Sequence, residues 1–419
     1  MKKKLEEFFK LSNEDILMIV LAFMAFSIGI WGNYRQLWLE NFGFTIGEIS
    51  RIFSVALICS AVIAFIISFF SSKISYKNLI LESMFLRSIS MAVLFINPSA
   101  FTAKTCILLG IMCDVIFTIS FFPLLNLVNK SDETYRKKVF IEYISKDAGI
   151  ISCGLLIGVS VGRIIFDYNS CLIIALVTGM ISAVFLLLYN GETKPKDSKT
   201  SSLKSSIKRI FKNKKSNYFL SSQFVTNVSY GIVFDLMMLI LTGYIKFEVS
   251  FASIFIIVIN LLGSIGCSYY NKHGKKYSIK KSVFIKFGSR AIAYLLAALT
   301  NNIVVFILSI VIAYVTSRIL EDKVTGSFLK IIGKSDYFLY ENIRYFIICV
   351  GEGVGAFFAG ILLGISLRAL FLGAGIVTMI QIMLLIQADT VKENNWLVII
   401  DIFWYNDIIR RNLWNLMII

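Results

Sequence analysis

The stretch GIISCGLLIGV, residues 149–159, has a near copy later in the chain, GAFFAGILLGI at residues 355–365. Both stretches are apolar and carry glycines at the same relative places. Small residues on a helix surface let a neighbouring helix approach the backbone closely. The two stretches therefore predict equivalent, tightly packed helices in two halves of the chain. The predicted packing glycines are Gly149, Gly154 and Gly158 in the first copy and Gly355, Gly360 and Gly364 in the second.

Further matches in the same order support an internal duplication. IGIWGN in the first half matches YGIVFD in the second, and FLRSIS matches GSRAIA, at nearly the same separation along the chain. Repeated units with small changes in loop length are typical of transporters built from two similar helical halves. The aligned pairs are Gly29 with Gly231, Asn33 with Asp235, and Arg87 with Arg290.

The chain is too apolar for a water-soluble protein. Of its 419 residues, 57% are hydrophobic and 16% are charged, and the mean hydropathy is +0.77. A soluble domain cannot cover so much apolar surface. The apolar runs have the length of helices that cross a bilayer, about 20 residues, rather than the alternation of barrel strands. The sequence predicts an all-α integral membrane protein with twelve transmembrane helices in two six-helix pseudo-repeats. The predicted spans lie near residues 14–32, 48–70, 79–97, 104–127, 139–164, 170–189, 218–243, 250–268, 282–299, 302–321, 339–366 and 368–388.

Composition along the chain predicts four regions. Residues 1–190 form a six-helix half, and residues 218–390 form the other. The polar, basic segment 191–217 is the predicted cytoplasmic linker between them. Residues 391–419 hold three of the five tryptophans, and tryptophan favours the membrane interface, so this tail is expected along the inner surface.

Basic residues predict the orientation of the chain. With the N-terminus inside, thirty of the 42 Lys and Arg residues fall in inner segments, and only Arg35, Lys104, Lys246 and Arg368 fall in outer loops. Inner loops of membrane proteins carry the excess of Lys and Arg. The sequence therefore predicts a multi-pass cell-membrane protein with both termini cytoplasmic. The net charge of +16 is then a topology signal, and no nucleic-acid partner is expected. The excess of Lys over Arg, with abundant Ile, Asn and Phe, predicts an AT-rich bacterial gene.

A basic loop motif follows the second predicted span of each half. NKHGKK at 271–276 matches SKISYK at 72–77. The second-half loop resembles the G-x-x-x-D-R-x-G-R-K loop of the major facilitator superfamily. Asn271 stands for its Asp, Lys272 for its Arg, Gly274 for its Gly, and Lys275 with Lys276 for its closing basic pair. The first-half copy is poorer and retains Ser72, Lys73 and Lys77.

The resemblance implies two six-helix halves around a central cavity, with these loops at an inner gate. In the family, the motif carboxylate takes part in a charge network at that gate. Asn271 and Ser72 could only hydrogen-bond there. The alternative is that the loops simply carry inner positive charge and a turn glycine.

The sequence contains no motif typical of an enzyme active site. The chain has one histidine, His273, in a predicted surface loop, and its seven cysteines fall mostly in apolar runs without metal-ligand spacing. We read the cysteines as small hydrophobic residues rather than as disulfides or ligands. The sequence thus predicts no enzyme, no cofactor and no metal.

Ionisable residues at membrane depth are the candidates for coupling, because such residues are costly and usually face a cavity or a partner. Asp114 is a predicted proton carrier, or else an acid paired with a base for packing alone. Glu352 lies at a place equivalent to Lys146, so these two could pair across the cavity. Asp147 points ~100° away from Lys146 on a helix and cannot share its face.

A polar stripe is predicted on the seventh span. Gln223, Asn227 and Tyr230 precede Asp235 at helical spacing, which places them along one side of the helix. The family resemblance implies that spans 1 and 7 help to line the cavity. Asn33 and Arg35 are the span-1 counterparts in the predicted substrate cavity. Arg87 and Arg290, by contrast, are expected to reach the inner surface with their long side chains and to serve structure.

The function predicted from these features is secondary active transport by alternating access. We expect proton-coupled export of a small amphipathic or cationic compound, by a monomer in the lipid bilayer. The alternatives are an ion-coupled nutrient uptake symporter, a flippase for a lipid or lipid-linked precursor, and a membrane sensor that does not transport.

Overall fold

A computed structural model describes residues 11–32, 35–70, 74–128, 138, 141–142, 144–153, 168–194, 211–212, 214–273, 278–318 and 337–390. Several predicted positions lie outside these ranges, as do most of the linker and all of residues 391–419. The site and packing residues concerned are Asn33, Ser72, Lys73, Gly154, Gly158, Gly274, Lys275 and Lys276.

The described part of the chain is helical and contains no strand. Twelve helices are numbered here in chain order. They are α1 (Asn13–Gly32, followed by a short helix Arg35–Asn41), α2 (Ile46–Phe70), α3 (Tyr76–Ile96), α4 (Ala100–Val128), α5 (144–153), α6 (Tyr168–Leu188), α7 (Lys214–Val233), α8 (Val249–His273), α9 (Ile279–Val283, continued by Phe284–Gly288 and Ser289–Leu299), α10 (Ile303–Arg318), α11 (Tyr337–Ile365) and α12 (Leu367–Thr390).

The twelve predicted spans each coincide with one of these helices. Within the described ranges, nine helices are long and apolar enough to cross a membrane. The helices α8 and α10 contribute shorter apolar stretches, Phe251–Gly263 and Ile303–Thr316, and α5 falls within the fifth predicted span. Large apolar side chains such as Ile89, Val184 and Met383 are exposed on the outside of the bundle, where lipid replaces water as the solvent. The prediction of an all-α integral membrane fold is confirmed.

Helix packing follows two similar sets. In the first, α1 packs on α6, and α3 packs on both α4 and α6. In the second, α7 packs on α12, and α9 packs on both α10 and α12. The helices α2 and α11 pack on each other and join the two sets. The fold is therefore two helical bundles joined along one extensive seam.

Glycines mark an equivalent backbone crossing in each half. A Cβ atom placed on Gly29 of α1 would collide with the carbonyl oxygen of Lys146 on α5. A Cβ on Gly231 of α7 would collide in the same way with the carbonyl oxygen of Glu352 on α11. Only glycine allows the two backbones of each crossing to come this close.

The partner glycines of these crossings repeat the same relation. A Cβ on Gly149 would meet the carbonyl oxygen of Phe26, and one on Gly355 would meet that of Val228. The α1–α5 and α7–α11 crossings are thus built from aligned residues of the duplicated sequence. Gly360 packs on Ser50 of α2. A Cβ atom placed on Gly364 would have no atom of the described residues within 4 Å, because Gly364 lies at the end of α11, beyond the crossing. The predicted packing role of Gly364 is therefore wrong.

The outer part of α7 departs from α-helical geometry. Phe234–Leu236 form a 3₁₀ turn, Met237–Leu239 return to an α-turn, and Ile240–Tyr244 form a π-turn. Such irregular turns in a helix are frequent at functional sites. Here the 3₁₀ turn carries Asp235.

Four predicted loop residues, Asn271, Lys272, His273 and Lys77, belong to helices instead. The helix α8 extends to His273, so Asn271 and Lys272 are helical rather than in a loop, because a helix can continue beyond its apolar part. Lys77 lies in the first turn of α3, where its Nζ donates hydrogen bonds to the carbonyl oxygens of Leu187 (3.2 Å) and Tyr189 (2.5 Å). A positive charge at a helix C-terminus is favourable, so Lys77 caps α6.

Candidate functional site

A buried ion pair joins α3 to α4. Arg87 Nε lies 2.9 Å from Asp114 Oδ1, and the side chain of Arg87 is only 2% exposed. Arg87 also donates to Ser27 on α1, through Nη1 to the hydroxyl (2.7 Å) and through Nη2 to the carbonyl oxygen (3.2 Å). The prediction that Arg87 reaches the inner surface is wrong, because its partners hold the guanidinium inside the bundle. Arg290, the aligned residue of α9, is buried in the same way at 1% exposure.

A pair of carboxyl groups joins α7 to α11. The carboxyl groups of Asp235 and Glu352 are close enough to share a hydrogen bond. An ionised carboxylate only accepts hydrogen bonds, so a bond between two carboxyl groups requires that one of them holds a proton. Asp235 and Glu352 are therefore a candidate pair for holding a proton.

Two bases of the first half face this acid pair. The guanidinium of Arg35 is within electrostatic reach of Asp114, Asp235 and Glu352. Lys146 of α5 is within electrostatic reach of the same three acids. The six side chains Arg35, Arg87, Asp114, Lys146, Asp235 and Glu352 are called the charge cluster below.

The charge cluster is divided between the two halves. The bases Arg35 and Lys146 come from α1 and α5, and the acids Asp235 and Glu352 come from α7 and α11. The remaining pair, Arg87 and Asp114, belongs to the first half. Asp114 lies in the middle of α4, and 16% of its side-chain surface is exposed. The cluster is therefore deep in the protein, with part of the Asp114 side chain exposed.

The donors of Arg35 are only partly used. Its guanidinium carbon lies 4.7 Å from the ring centre of Phe53 on α2, in a cation–π contact. Its Nε atom is buried and has no hydrogen-bond partner among the described residues. Lys146 is half-buried, and its side chain forms no hydrogen bond or ion pair within the described ranges. Both bases can take a further partner.

Asp147 does not join the charge cluster. It is 5% exposed and lies on another face of α5 from Lys146, as its position one residue later requires. The sequence predicted this separation of the two side chains, but it also proposed Asp147 as a coupling candidate. The structure places it among the packed residues of the first half.

The predicted polar stripe of α7 lies beside the charge cluster rather than in it. The Asn227 amide donates to the carbonyl oxygen of Gln223 (2.7 Å) within the helix. The Tyr230 ring lies 4.8 Å from that of Phe234, which in turn contacts Tyr314 of α10 edge-on at 5.2 Å. These three rings form an aromatic row next to Asp235.

Sequence reasoning missed a polar partner of that row. The Tyr314 hydroxyl donates to Asn260 Oδ1 of α8 (2.8 Å), and Asn260 is fully buried. A buried amide in an otherwise apolar span was the available signal. Gln36, also missed, donates through Nε2 to the carbonyl oxygen of Asp235 (2.5 Å) and so links the first half to the 3₁₀ turn.

The two halves meet at the end of the bundle that holds the short helix Arg35–Asn41. Besides the Gln36 bond, the Ser50 hydroxyl of α2 donates to the carbonyl oxygen of Ala356, and the Gly360 amide donates to Ser50 Oγ (3.0 Å). A pocket of about 280 Å³ lies at this end, between Leu37 and Lys246, and none of its lining residues belongs to the charge cluster. Hydrogen bonds thus join the two halves at this end of the seam.

Comparison with solved structures finds the same architecture. The nucleoside transporter NupG superposes with a TM-score of 0.65 at 15% identity, over 91% of this chain and all of that chain. A POT family transporter in complex with 5-aminolevulinic acid gives 0.68 at 13% identity, over 89% and 95% of the two chains. A bacterial homolog of the human lysosomal transporter Spinster, solved inward-facing and unoccupied, gives 0.60 at 13% identity, over 90% and 94%. At such identities the likeness shows the fold alone.

Comparison by sequence gives the family. A search of curated proteins finds no match to this chain. The sequence profile of the Major Facilitator Superfamily, however, matches residues 16–320, most of the chain. With the duplicated bundles and the matching transporter folds, the chain belongs to the Major Facilitator Superfamily.

Proposed function

We propose that the protein is a proton-coupled secondary transporter that moves a small polar molecule by alternating access to the charge cluster. The observation that carries the proposal is the close approach of the Asp235 and Glu352 carboxyl groups, which can hydrogen-bond to each other only when one of them holds a proton. Ionisable residues at this depth mark ion and substrate paths in membrane proteins.

The division of charge between the halves supports coupling. Removing the stored proton adds a negative charge to the second half, opposite the bases Arg35 and Lys146 of the first half. Two unit charges ~5 Å apart attract by roughly 3 kcal/mol at an effective dielectric constant of about 20. An energy of that size shifts a two-state equilibrium roughly 100-fold. Loss or gain of the proton can therefore bias which side of the membrane the site faces.

The character of the site favours a polar substrate over a lipid. Six ionisable side chains converge at the centre, and a lipid tail would offer no partner to Arg35 and Lys146. Solved structures of similar fold include a nucleoside transporter and a transporter in complex with 5-aminolevulinic acid. Nucleosides and 5-aminolevulinic acid are small polar molecules. Export of an amphipathic or cationic compound remains a prediction from the sequence.

The test uses proteoliposomes that contain a pH-sensitive dye and purified protein in one orientation. Pools of nucleosides, dipeptides, organic acids and amphipathic cations are added outside in turn. At least one pool is expected to change the internal pH, with acidification for symport and alkalinisation for antiport. Glu352→Gln should abolish the change because it removes one partner of the proton-storing pair.

The matched control is Glu40→Gln, since Glu40 lies on the exposed side of the short helix outside the charge cluster. It should leave the pH signal intact. Substrate uptake without any pH change, or a pH change that survives Glu352→Gln, would contradict proton coupling at this site.

A further inference from the structure

The charge cluster carries an unbalanced positive charge when the acid pair holds its proton. Arg87 and Asp114 form an ion pair and cancel each other. Asp235 and Glu352, sharing one proton, then carry a single negative charge against the two positive charges of Arg35 and Lys146. This count rests on the proton storage proposed above. One positive charge remains to be matched by something outside the described side chains.

The acids are poorly placed to bind a cation. Asp235 and Glu352 lie within hydrogen-bonding distance of each other and within electrostatic reach of both bases. Asp114 is held by Arg87 at 2.9 Å. A cationic substrate would have to displace these partners, and it would add positive charge to a site that already has an excess of it.

The bases, in contrast, have donors to offer. The Arg35 guanidinium lies over the ring of Phe53, while its buried Nε lacks a hydrogen-bond partner among the described residues. A guanidinium presents its donors in a planar fork that matches a carboxylate. The ammonium of Lys146 completes a pair of positive groups from α1 and α5 that faces the same acids.

We propose that the substrate is a small organic monoanion, whose carboxylate binds Arg35 and Lys146 and whose apolar or aromatic body lies along the row Tyr230, Phe234 and Tyr314. The carboxylate supplies the missing negative charge and the missing acceptor for Arg35. Phe234 directly precedes Asp235 in the 3₁₀ turn, and its ring contacts those of Tyr230 and Tyr314, so the row adjoins the turn that carries one acid of the pair. This substrate class differs from the cation predicted from the sequence.

The test compares three compounds of nearly equal shape and different charge: 3-phenylpropanoate, 3-phenylpropanamide and 3-phenylpropylamine. Each is titrated onto the purified full-length protein at pH 7, and the thermal unfolding midpoint is followed. The acid should raise the midpoint with the logarithm of its concentration above its Kd, and the amide and the amine should need at least tenfold higher concentrations for the same rise. A ligand that binds only the folded state stabilises it by RT ln(1 + [L]/Kd).

Variants then locate the effect. Arg35→Gln and Lys146→Gln should each weaken binding of 3-phenylpropanoate about tenfold or more, because each loses a charge-assisted hydrogen bond. Arg35→Lys keeps the charge and should recover part of the affinity, which separates a lost anchor from misfolding. Lys104→Gln is the control, since Lys104 is exposed at the start of α4.

Three results would overturn the anion assignment: the amine binding as tightly as the acid, none of the three compounds binding, or the acid binding equally to the wild type and both Gln variants. Because the assay needs no gradient, it is independent of proton coupling. An acid that binds through Arg35 but moves no protons in liposomes would refute the proposed coupling and leave the substrate class standing.

Discussion

The buried pair Arg87–Asp114 makes a sharp prediction for Asp114→Asn. The change leaves a guanidinium that is 2% exposed without its counter-charge. Removing one partner of a buried ion pair costs roughly 3–5 kcal/mol. Because Ser27 still accepts two hydrogen bonds from Arg87, we expect the lower end, about 3 kcal/mol. At roughly 2 °C per kcal/mol for a large domain, the thermal midpoint should fall by about 6 °C.

The assay is thermal unfolding in detergent, followed by intrinsic fluorescence, on the wild type and three variants. The double variant Arg87→Met with Asp114→Leu removes both charges and should recover most of the lost stability, since replacing a whole buried pair by apolar residues is often neutral. Glu248→Gln, at an exposed position, is the control for loss of an acid as such. A double variant less stable than Asp114→Asn would refute the idea that the two charges compensate each other.

The same proteins decide between the two roles that the sequence left open for Asp114. If the double variant folds and still moves protons in liposomes, Asp114 serves packing. If it folds but no longer moves protons while Glu248→Gln does, Asp114 belongs to the proton path. Stability and coupling are thus measured on one set of samples.

Three further predictions concern the packing of the bundle. Gly231→Ala should greatly reduce the yield of folded protein, because its Cβ would collide with a carbonyl oxygen of α11, whereas Gly364→Ala should express normally; equal yields would contradict the tight crossing. The buried Sγ atoms of Cys153 and Cys171 lie 3.1 Å apart, so a mild oxidant should join them in a disulfide detectable by mass spectrometry. If the thiols of Cys153 and Cys171 both remain alkylatable after oxidation, α5 and α6 are not placed as described. Lys77→Met should lower the unfolding midpoint by a few degrees through the loss of its bonds to the end of α6, each worth about 1 kcal/mol, and an unchanged midpoint would refute that capping role.

Hydropathy and glycine spacing were enough to predict the fold, because both are local properties of a span. Depth along a span follows from sequence position, and it predicted Asp114 and Glu352 as mid-membrane acids; they lie near the middle of α4 and α11. Depth is only one coordinate, however. Which helices adjoin, and which way a side chain points around its helix, is decided by tertiary packing.

This is why the site was only partly predictable. Arg87 was expected at the inner surface because its distance from the end of its helix allows it to reach there. The ion pair with Asp114 of the next helix and the bonds to Ser27 instead hold it inside. Similarly, Arg35 was placed among the cavity residues as a counterpart of span 7, but nothing in the sequence joined it to Asp114, Lys146 and Glu352 in one cluster.

The glycine crossings determine how the site can change during a transport cycle. Because the backbones of α1 and α5 touch at Gly29, those two helices are expected to move as one unit, and so are α7 and α11, which touch at Gly231. The bases Arg35 and Lys146 belong to the first unit, and the acid pair belongs to the second. A rocking motion can then widen or narrow the gap between these two units without separating α1 from α5 or α7 from α11. In the proposed mechanism, the stored proton moves with α7 and α11, and the substrate carboxylate moves with the bases of the first half.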